Sequence, residues 1–155
     1  MTTEVLLPVG AQTWDDVKAT LTSSLQSLVD GETSSVSVSM PRSGQLIEAH
    51  RLPNGQLRLA AAGNDTLIGG NRLTVRDERA VIAVGFSVGS ASWGNFYWDW
   101  TAPVDPALVA SGIVRTMRDI YRACKATSKS RPSSSQISAI EHHMCAQIQK
   151  IDVGA

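Results

Sequence analysis

Residues 85–100 read GFSVGSASWGNFYWDW and hold most of the large aromatic side chains of the chain. They include three of the four tryptophans, both phenylalanines and one of the two tyrosines. From residue 96 the side chains alternate, and one face is made by Phe96, Trp98 and Trp100. Because each buried aromatic side chain removes ~150–250 Å² from water, we expect this strand to form the floor of the hydrophobic core.

The chain has 155 residues, the size of one ordinary domain that buries a core without disulfides or metals. Fourteen basic and fourteen acidic residues balance, but residues 106–155 carry seven basic and only three acidic ones. Cys124 and Cys145 lack metal or redox spacing, so we interpret them as reduced thiols. The N-terminus has no signal-peptide pattern and no window approaches the ~20 apolar residues of a membrane span. We therefore expect a cytoplasmic protein without a membrane partner.

The first half of the chain predicts one helix and three strands. Residues 1–12 carry no clear pattern and are expected to be loosely ordered. Thr13 is a typical N-cap for a helix over about 14–29, where apolar residues recur at helical spacing. Three alternating segments at 34–40, 45–51 and 56–61 then predict an antiparallel meander, since short turns rich in Pro, Asn and Gly separate them.

Two more helices flank the aromatic strand. Thr74 followed by Asp77 predicts a capping box at the start of the second helix, which Gly85 ends. Asp105 predicts the N-cap of a third, amphipathic helix that runs to about Ala126. One face of that helix is apolar, and the opposite face is basic.

The C-terminal part predicts a linker and a last helix. Residues 127–134 are rich in Ser and resemble a flexible linker. Residues 135–151 predict an amphipathic helix whose apolar stripe contains Ile137, Ile140, Met144, Ile148 and Ile151. This helix either docks on its own domain or on another chain. The fold class is thus α+β, in the order α-β-β-β-α-β-α with an extra C-terminal helix.

Four features within about residues 13–126 resemble one known superfamily. Trp14 opens the first helix, Leu73-Thr74 begins the second helix, which ends at Gly85-Phe86, and Asn95-Phe96 follows after a short gap. The amphipathic helix from Asp105 closes the domain. In this combination the chain is similar to the YbjN and type III secretion chaperone-like superfamily, including the actinobacterial TY-Chap domains.

The resemblance implies an antiparallel sheet with helices on it, a protein or peptide partner, and a homodimer. It implies no catalytic residues and no cofactor. Phe86 and Phe96 stand where the family often has tryptophan, and the strand at 45–51 lacks the aromatics often found there. Because one fold serves many functions, the site has to be argued separately.

Six residues are candidates for partner binding. Tyr97 and Asp99 lie on the face of the aromatic strand opposite the expected core, and Trp93 lies in a loop of small residues. The basic side of the third helix contributes Arg115, Arg118 and Arg122, which suit an acidic partner. A solvated helix face and an ordinary core strand are the simpler interpretations of the same patterns. Nucleic acid is disfavoured, since the chain is neutral and has no recognised binding motif.

Metal and catalytic motifs are weak. His142 and Cys145 share a helix face, but two ligands without a second pair do not make a zinc site. Residues 85–89 read GFSVG and match the spacing of a nucleophile elbow around Ser87, but that motif follows a strand and opens a helix, whereas Gly85 is expected to end one. The glycine-containing loop at 67–72 lacks the lysine of a phosphate-binding loop.

Three functions remain open from the sequence. The first is a non-enzymatic, chaperone-like adaptor that binds a protein or peptide and is linked to secretion. The second is a small-molecule-binding protein or enzyme with a pocket between the sheet and the third helix. The third is a structural oligomer that exchanges its last helix between subunits. An exposed apolar groove or an open strand edge favours the first of these.

Overall fold

The computed structural model describes residues 2–5, 13–40, 44–89, 95–122 and 150–154. These residues form an antiparallel sheet of seven strands with helices packed against it. The strands are β1 (Thr2–Val5), β2 (Ser35–Met40), β3 (Gln45–Arg51), β4 (Leu57–Ala61), β5 (Ser87–Val88), β6 (Phe96–Trp100) and β7 (Lys150–Gly154). The helices are α1 (Trp14–Val29), α2 (Val75–Val84) and α3 (Pro106–Arg115), and α3 continues as a wider turn over Thr116–Ile120. The α+β class and the predicted order are confirmed.

The strand order across the sheet is β1-β7-β2-β3-β4-β6-β5. The meander β2-β3-β4 is paired as predicted, and β6 follows beside β4, with Leu59 opposite Trp98. Asn54 and Gly55 take positive φ angles of 71° and 74° in the turn between β3 and β4. Glycine and asparagine tolerate this left-handed geometry, so the local sequence determines the hairpin.

The helix caps follow the sequence signals. Thr13 accepts a hydrogen bond from the Asp16 amide, and the Asp16 carboxylate accepts one from the Thr13 amide. Thr74 and Asp77 form the same reciprocal box at α2. Such boxes satisfy two amides that the first turn of a helix leaves without partners.

One face of the sheet carries the hydrophobic core. Alternate residues of β2, β3, β4 and β6 point to it, and the buried faces of α1 and α3 cover them. The fully buried large side chains include Leu21, Leu25, Leu28, Ile47, Leu57, Leu59, Ile113 and Met117. Phe96 is buried, and Trp98 and Trp100 are half-buried against this core, as the alternation of the aromatic strand predicts.

Two predictions at the chain ends are wrong. Residues 2–5 are not loosely ordered but form β1, which pairs with β7. Lys150 and Ile151 belong to β7, beside β2, rather than to the end of a helix over 135–151. The remainder of that predicted helix and the predicted linker lie outside the described residues. Strand pairing between distant segments explains both errors, because neither segment has a strong local pattern.

The third helix ends earlier than predicted. Its last turn widens, since the Tyr121 amide donates to the Thr116 carbonyl, five residues back, at 2.9 Å. Arg122 then takes a left-handed φ of 56°, which stops the helix well before Ala126. Two buried contacts favour this end: Gln45 donates to the Tyr121 carbonyl at 2.8 Å, and the Tyr121 hydroxyl donates to the Ala62 carbonyl at 2.6 Å.

Candidate functional site

Tyr97 and Asp99 lie on the sheet face opposite the core, as the alternation predicts, and both contact Arg58. The register pairs Arg58 of β4 directly with Asp99 of β6. The guanidinium donates from Nε and Nη2 to the two carboxylate oxygens at 2.7 and 2.8 Å, and it lies 5.1 Å from the centre of the Tyr97 ring. We call these three residues the outer-face cluster.

The outer-face cluster is electrically neutral and partly solvated. The hydrogen bond from Arg58 holds the pKa of Asp99 below its usual range, although desolvation opposes this shift. Both side chains keep 39% of their surface exposed, so solvent screens the pair and it adds little to stability. Its main effect is geometric, because it fixes the orientation of a guanidinium and a tyrosine ring on an open sheet surface.

The rest of this face is polar. Glu48 and His50 of β3 lie 3.1 Å apart, and serines alternate along the neighbouring strand β2. The face presents hydrogen-bonding groups with few apolar side chains. This composition suits contact with water or with another polar surface.

The three predicted arginines of the third helix do not form one uniform basic stripe. Arg118 donates to Asp119, its neighbour in sequence, at 2.8 and 3.0 Å. Arg122 lies 3.6 Å from Asp77 of α2. Arg115 is exposed and has no ion pair among the described residues. Trp93, the sixth candidate, lies outside the described residues.

Asp77 links the end of the third helix to the cap of α2. Its pKa is lowered, first by the hydrogen bond from the Thr74 amide and then by the Thr74 hydroxyl, Arg122 and Arg76, while burial opposes the shift. A carboxyl whose pKa is lowered in the folded state stabilises the fold fully at pH values above its ordinary pKa of about 3.9. That contribution is lost as the pH falls through the lowered pKa.

We therefore expect the free energy of unfolding of Asp77→Asn to change less with pH in the acid range than that of the wild type. At about pH 7 the variant should lose roughly 1 kcal/mol of unfolding free energy, because the cap is weakened. The difference from the wild type should shrink as the pH falls below about 4. Urea unfolding across this range measures it, and Asp65→Asn, which alters an exposed loop carboxylate, serves as the control. A difference that is constant with pH contradicts the role of ionised Asp77.

The edge of the sheet at β5 and β6 is open in the described part of the chain, and the opposite edge, at β1, also has no further strand among these residues. β5 has two residues and pairs only with Tyr97 and Phe96, so the edge of β6 beyond Tyr97 has no strand beside it among these residues. Both residues of β5 are exposed, and Val88 keeps 65% of its surface accessible. An edge strand offers unpaired amide and carbonyl groups to another extended chain.

The sequence pattern does not reveal this edge. A strand of two residues is too short for a periodic pattern, and Ser87-Val88 lies within the general aromatic stretch. Arg58 was also missed, because its meeting with Asp99 depends on pairing between strands 41 positions apart. The alternation of β4 does place Arg58 on the outer face, and this is the one sequence signal that points to it.

On the core side of the same edge, two glycines allow the backbones of neighbouring elements to lie close to Trp98. A Cβ at Gly85 would lie 2.5 Å from the Trp98 ring, and one at Gly112 would lie 3.1 Å from it. Phe86 meets Trp98 edge to face at 5.3 Å, and Trp98 and Trp100 are 4.5 Å apart. This arrangement holds the backbones of α2 and α3 against β6, so these tryptophans act as structural residues beneath the open edge.

Metal-binding geometry is not found in the part of the chain that the structure describes. No group of three or more His, Cys, Asp or Glu side chains gathers there, and His142 and Cys145 lie outside it. None of the helices in the described ranges is long and apolar enough to cross a membrane.

The fold is an α+β domain with one sheet face covered by helices, one polar face and an open strand edge. The model of one protein family matches residues 8–127, most of the chain: TY-Chap3, described as T3SS (YopN, CesT) and YbjN peptide-binding chaperone 3. The chain belongs to this family, which confirms the resemblance found in the sequence. Neither the curated proteins nor the solved structures gave a match.

Proposed function

We propose that the protein is a non-enzymatic, chaperone-like adaptor that binds an extended segment of a partner protein along the open edge of β5 and β6. The membership in a peptide-binding chaperone family supports the binding role. The observation that carries the location is the incomplete pairing of β6, whose edge extends beyond β5. An added strand would gain main-chain hydrogen bonds there, and alternate side chains would set its specificity.

The side chains beside the edge fit such a peptide. Val88 offers an exposed aliphatic contact. Tyr97 pairs with Ser87 across the two strands and presents its ring on the outer face. The guanidinium of Arg58 and the carboxylate of Asp99 lie beside it there. A peptide strand with alternating apolar and polar residues matches these contacts, because successive side chains of a strand point to opposite faces.

The proposal of a chaperone-like adaptor also includes three further features. They are a homodimer, a cytoplasmic location and a link to secretion. The family description, which names T3SS chaperones, supports the link to secretion, and two cysteines without a redox motif agree with a cytoplasmic location. Arg115, Arg118, Arg122 and Trp93 remain candidate partner contacts. The alternative of a ligand pocket between the sheet and α3 is less supported, since buried side chains such as Leu59, Ile113 and Met117 fill that layer.

Val88→Lys should weaken peptide binding at least about tenfold, because a charge on an edge strand disfavours the addition of another strand. The test begins with selection of peptides from a random display library on the wild type. The affinities of the selected peptides are then measured for each variant by calorimetry.

Ile68→Lys is the matched control, since Ile68 is similarly exposed, at 56%, but lies in a loop outside β5 and β6. It should leave affinity unchanged within about twofold, as a surface change outside the interface. Equal losses in the two variants, or full binding by Val88→Lys, would contradict the edge as the site. A failure to select any peptide from the library would contradict the proposed function itself.

A further inference from the structure

Helix α2 presents an outward face that combines arginines with exposed aliphatic residues. At about 100° per residue, Val75, Arg79 and Ile82 lie within one narrow arc, and Arg76 lies beside them. Val75 is 66% exposed and Ile82 is 46% exposed, and both arginines are exposed. We call these four residues the α2 outer face.

The acids of α2 neutralise this face only in part, because Asp77 attracts Arg76 electrostatically but both acids also have other partners. Asp77 closes the capping box with Thr74 and lies beside Arg122. Glu78 accepts a hydrogen bond from Asn64 at 3.4 Å. The described residues provide no ion pair for Arg76 or Arg79.

The position of these cations is unfavourable for the isolated helix. Arg76 lies in the first turn of α2, where the helix dipole favours negative charge. Arg76 and Arg79 are three residues apart, a spacing at which like charges repel each other. Arg72, just before the cap, adds a third exposed cation. Packing among the residues that the structure describes does not account for this cluster, and carboxylates from outside would relieve its repulsion.

We propose that the α2 outer face binds an acidic amphipathic segment of a protein partner. Apolar residues of that segment would cover Val75 and Ile82, and its carboxylates would pair with Arg76 and Arg79. The planar guanidinium binds carboxylates through two parallel hydrogen bonds, which gives such pairs their specificity. An acidic protein segment fits better than a membrane surface, because a helix of ten residues with two exposed aliphatic side chains buries little in a lipid interface.

The proposal concerns a second surface and does not rest on the strand edge of β5 and β6. Its probe is a short fluorescent peptide with leucines at helical spacing and glutamates at the flanking positions. A scrambled peptide of the same composition and a peptide with lysine in place of glutamate accompany it. Fluorescence anisotropy measures binding to the full chain at low and physiological salt.

Reversal of the two arginines, Arg76→Glu with Arg79→Glu, should weaken binding of the amphipathic acidic peptide at least about tenfold. Val75→Ser with Ile82→Ser should also weaken it. The matched control, Lys18→Glu with Arg51→Glu, makes the same change in net charge on other elements and should stay within about twofold of the wild type. Val88→Lys should bind the acidic peptide normally, which separates this surface from the edge.

Thermal unfolding checks that the arginine reversal leaves the fold intact. We expect an unchanged or raised midpoint, because acids suit the first turn of a helix. Equal loss in both charge-reversed variants, or equal binding of the scrambled peptide, would overturn the proposal in favour of a general charge effect. Arginine-dependent binding to vesicles of phosphatidylserine and phosphatidylcholine without binding to the peptide would overturn it in favour of a membrane surface.

Discussion

Leu25→Ala is expected to lower the free energy of unfolding by about 2–5 kcal/mol. Leu25 is fully buried in α1, which packs on α3 and on the central strands β2 and β3. Truncation removes three carbon atoms from this contact and leaves a cavity that the surrounding helices and strands fill only in part. Urea unfolding followed by tryptophan fluorescence measures the loss.

Leu108→Ala is the matched control, since it makes the same substitution on a helix where the leucine is 59% exposed. Its effect on stability should stay within about 0.5 kcal/mol, as for most surface substitutions. The denaturant slope should be unchanged for both variants if the native and unfolded states keep their surface areas. A loss below about 1 kcal/mol for Leu25→Ala would contradict the close packing of α1 on the sheet.

The sequence predicts those parts of the fold that local patterns determine. Thr13 and Thr74 mark the starts of α1 and α2 because each side chain caps an amide within its own turn. The alternation in β2, β3 and β6 predicts which face is buried, since a strand turns successive side chains to opposite sides. The glycine-containing turn at 53–55 predicts the hairpin for the same local reason.

Contacts between distant segments account for the parts that the sequence did not predict. β1 and β7 pair across almost the whole chain, and neither has a pattern that distinguishes it from a loop or a helix. The early end of the third helix depends on buried bonds from Gln45, in β3, and to Ala62, just after β4. Burial also raises the pKa of Tyr121, whose hydroxyl makes one of these bonds.

The candidate site shows the same division. Alternation predicts that Tyr97 and Asp99 leave the core, but only strand register brings Arg58 to them. Helical spacing predicts that Arg118 and Arg122 face outward, but it does not reveal their pairing with Asp119 and Asp77. Periodicity therefore predicts which side chains are exposed, and the three-dimensional structure determines which of those are already paired.

Gly85→Ala is expected to lower the free energy of unfolding by about 2–5 kcal/mol, through backbone strain and overpacking together. Gly85 ends α2 with a φ of 143°, a region that residues with a Cβ rarely adopt. A Cβ at this position would lie 2.5 Å from two ring atoms of Trp98. The ring cannot move away easily, because Phe86 and Gly112 contact its other sides.

Gly69→Ala separates the two causes. Gly69 also has a positive φ, of 58°, but no atom lies within 4 Å of the position of its Cβ. This variant should lose only about 1–2 kcal/mol from left-handed strain. The excess loss of Gly85→Ala then contains both the greater backbone strain at φ 143° and the contact with Trp98. The part caused by the contact should disappear in a Trp98→Leu background, where the ring is removed, so that the loss shrinks by at least about 1 kcal/mol. An equal loss with and without the ring would show that backbone strain alone makes Gly85 necessary.

Gly85→Ala should also loosen the short edge strand, because Gly85 lies just before β5. The Gly89 N–H donates to the Asn95 carbonyl at 2.8 Å and so holds β5 on β6. Amide exchange at Gly89 should therefore be faster in the variant than in the wild type.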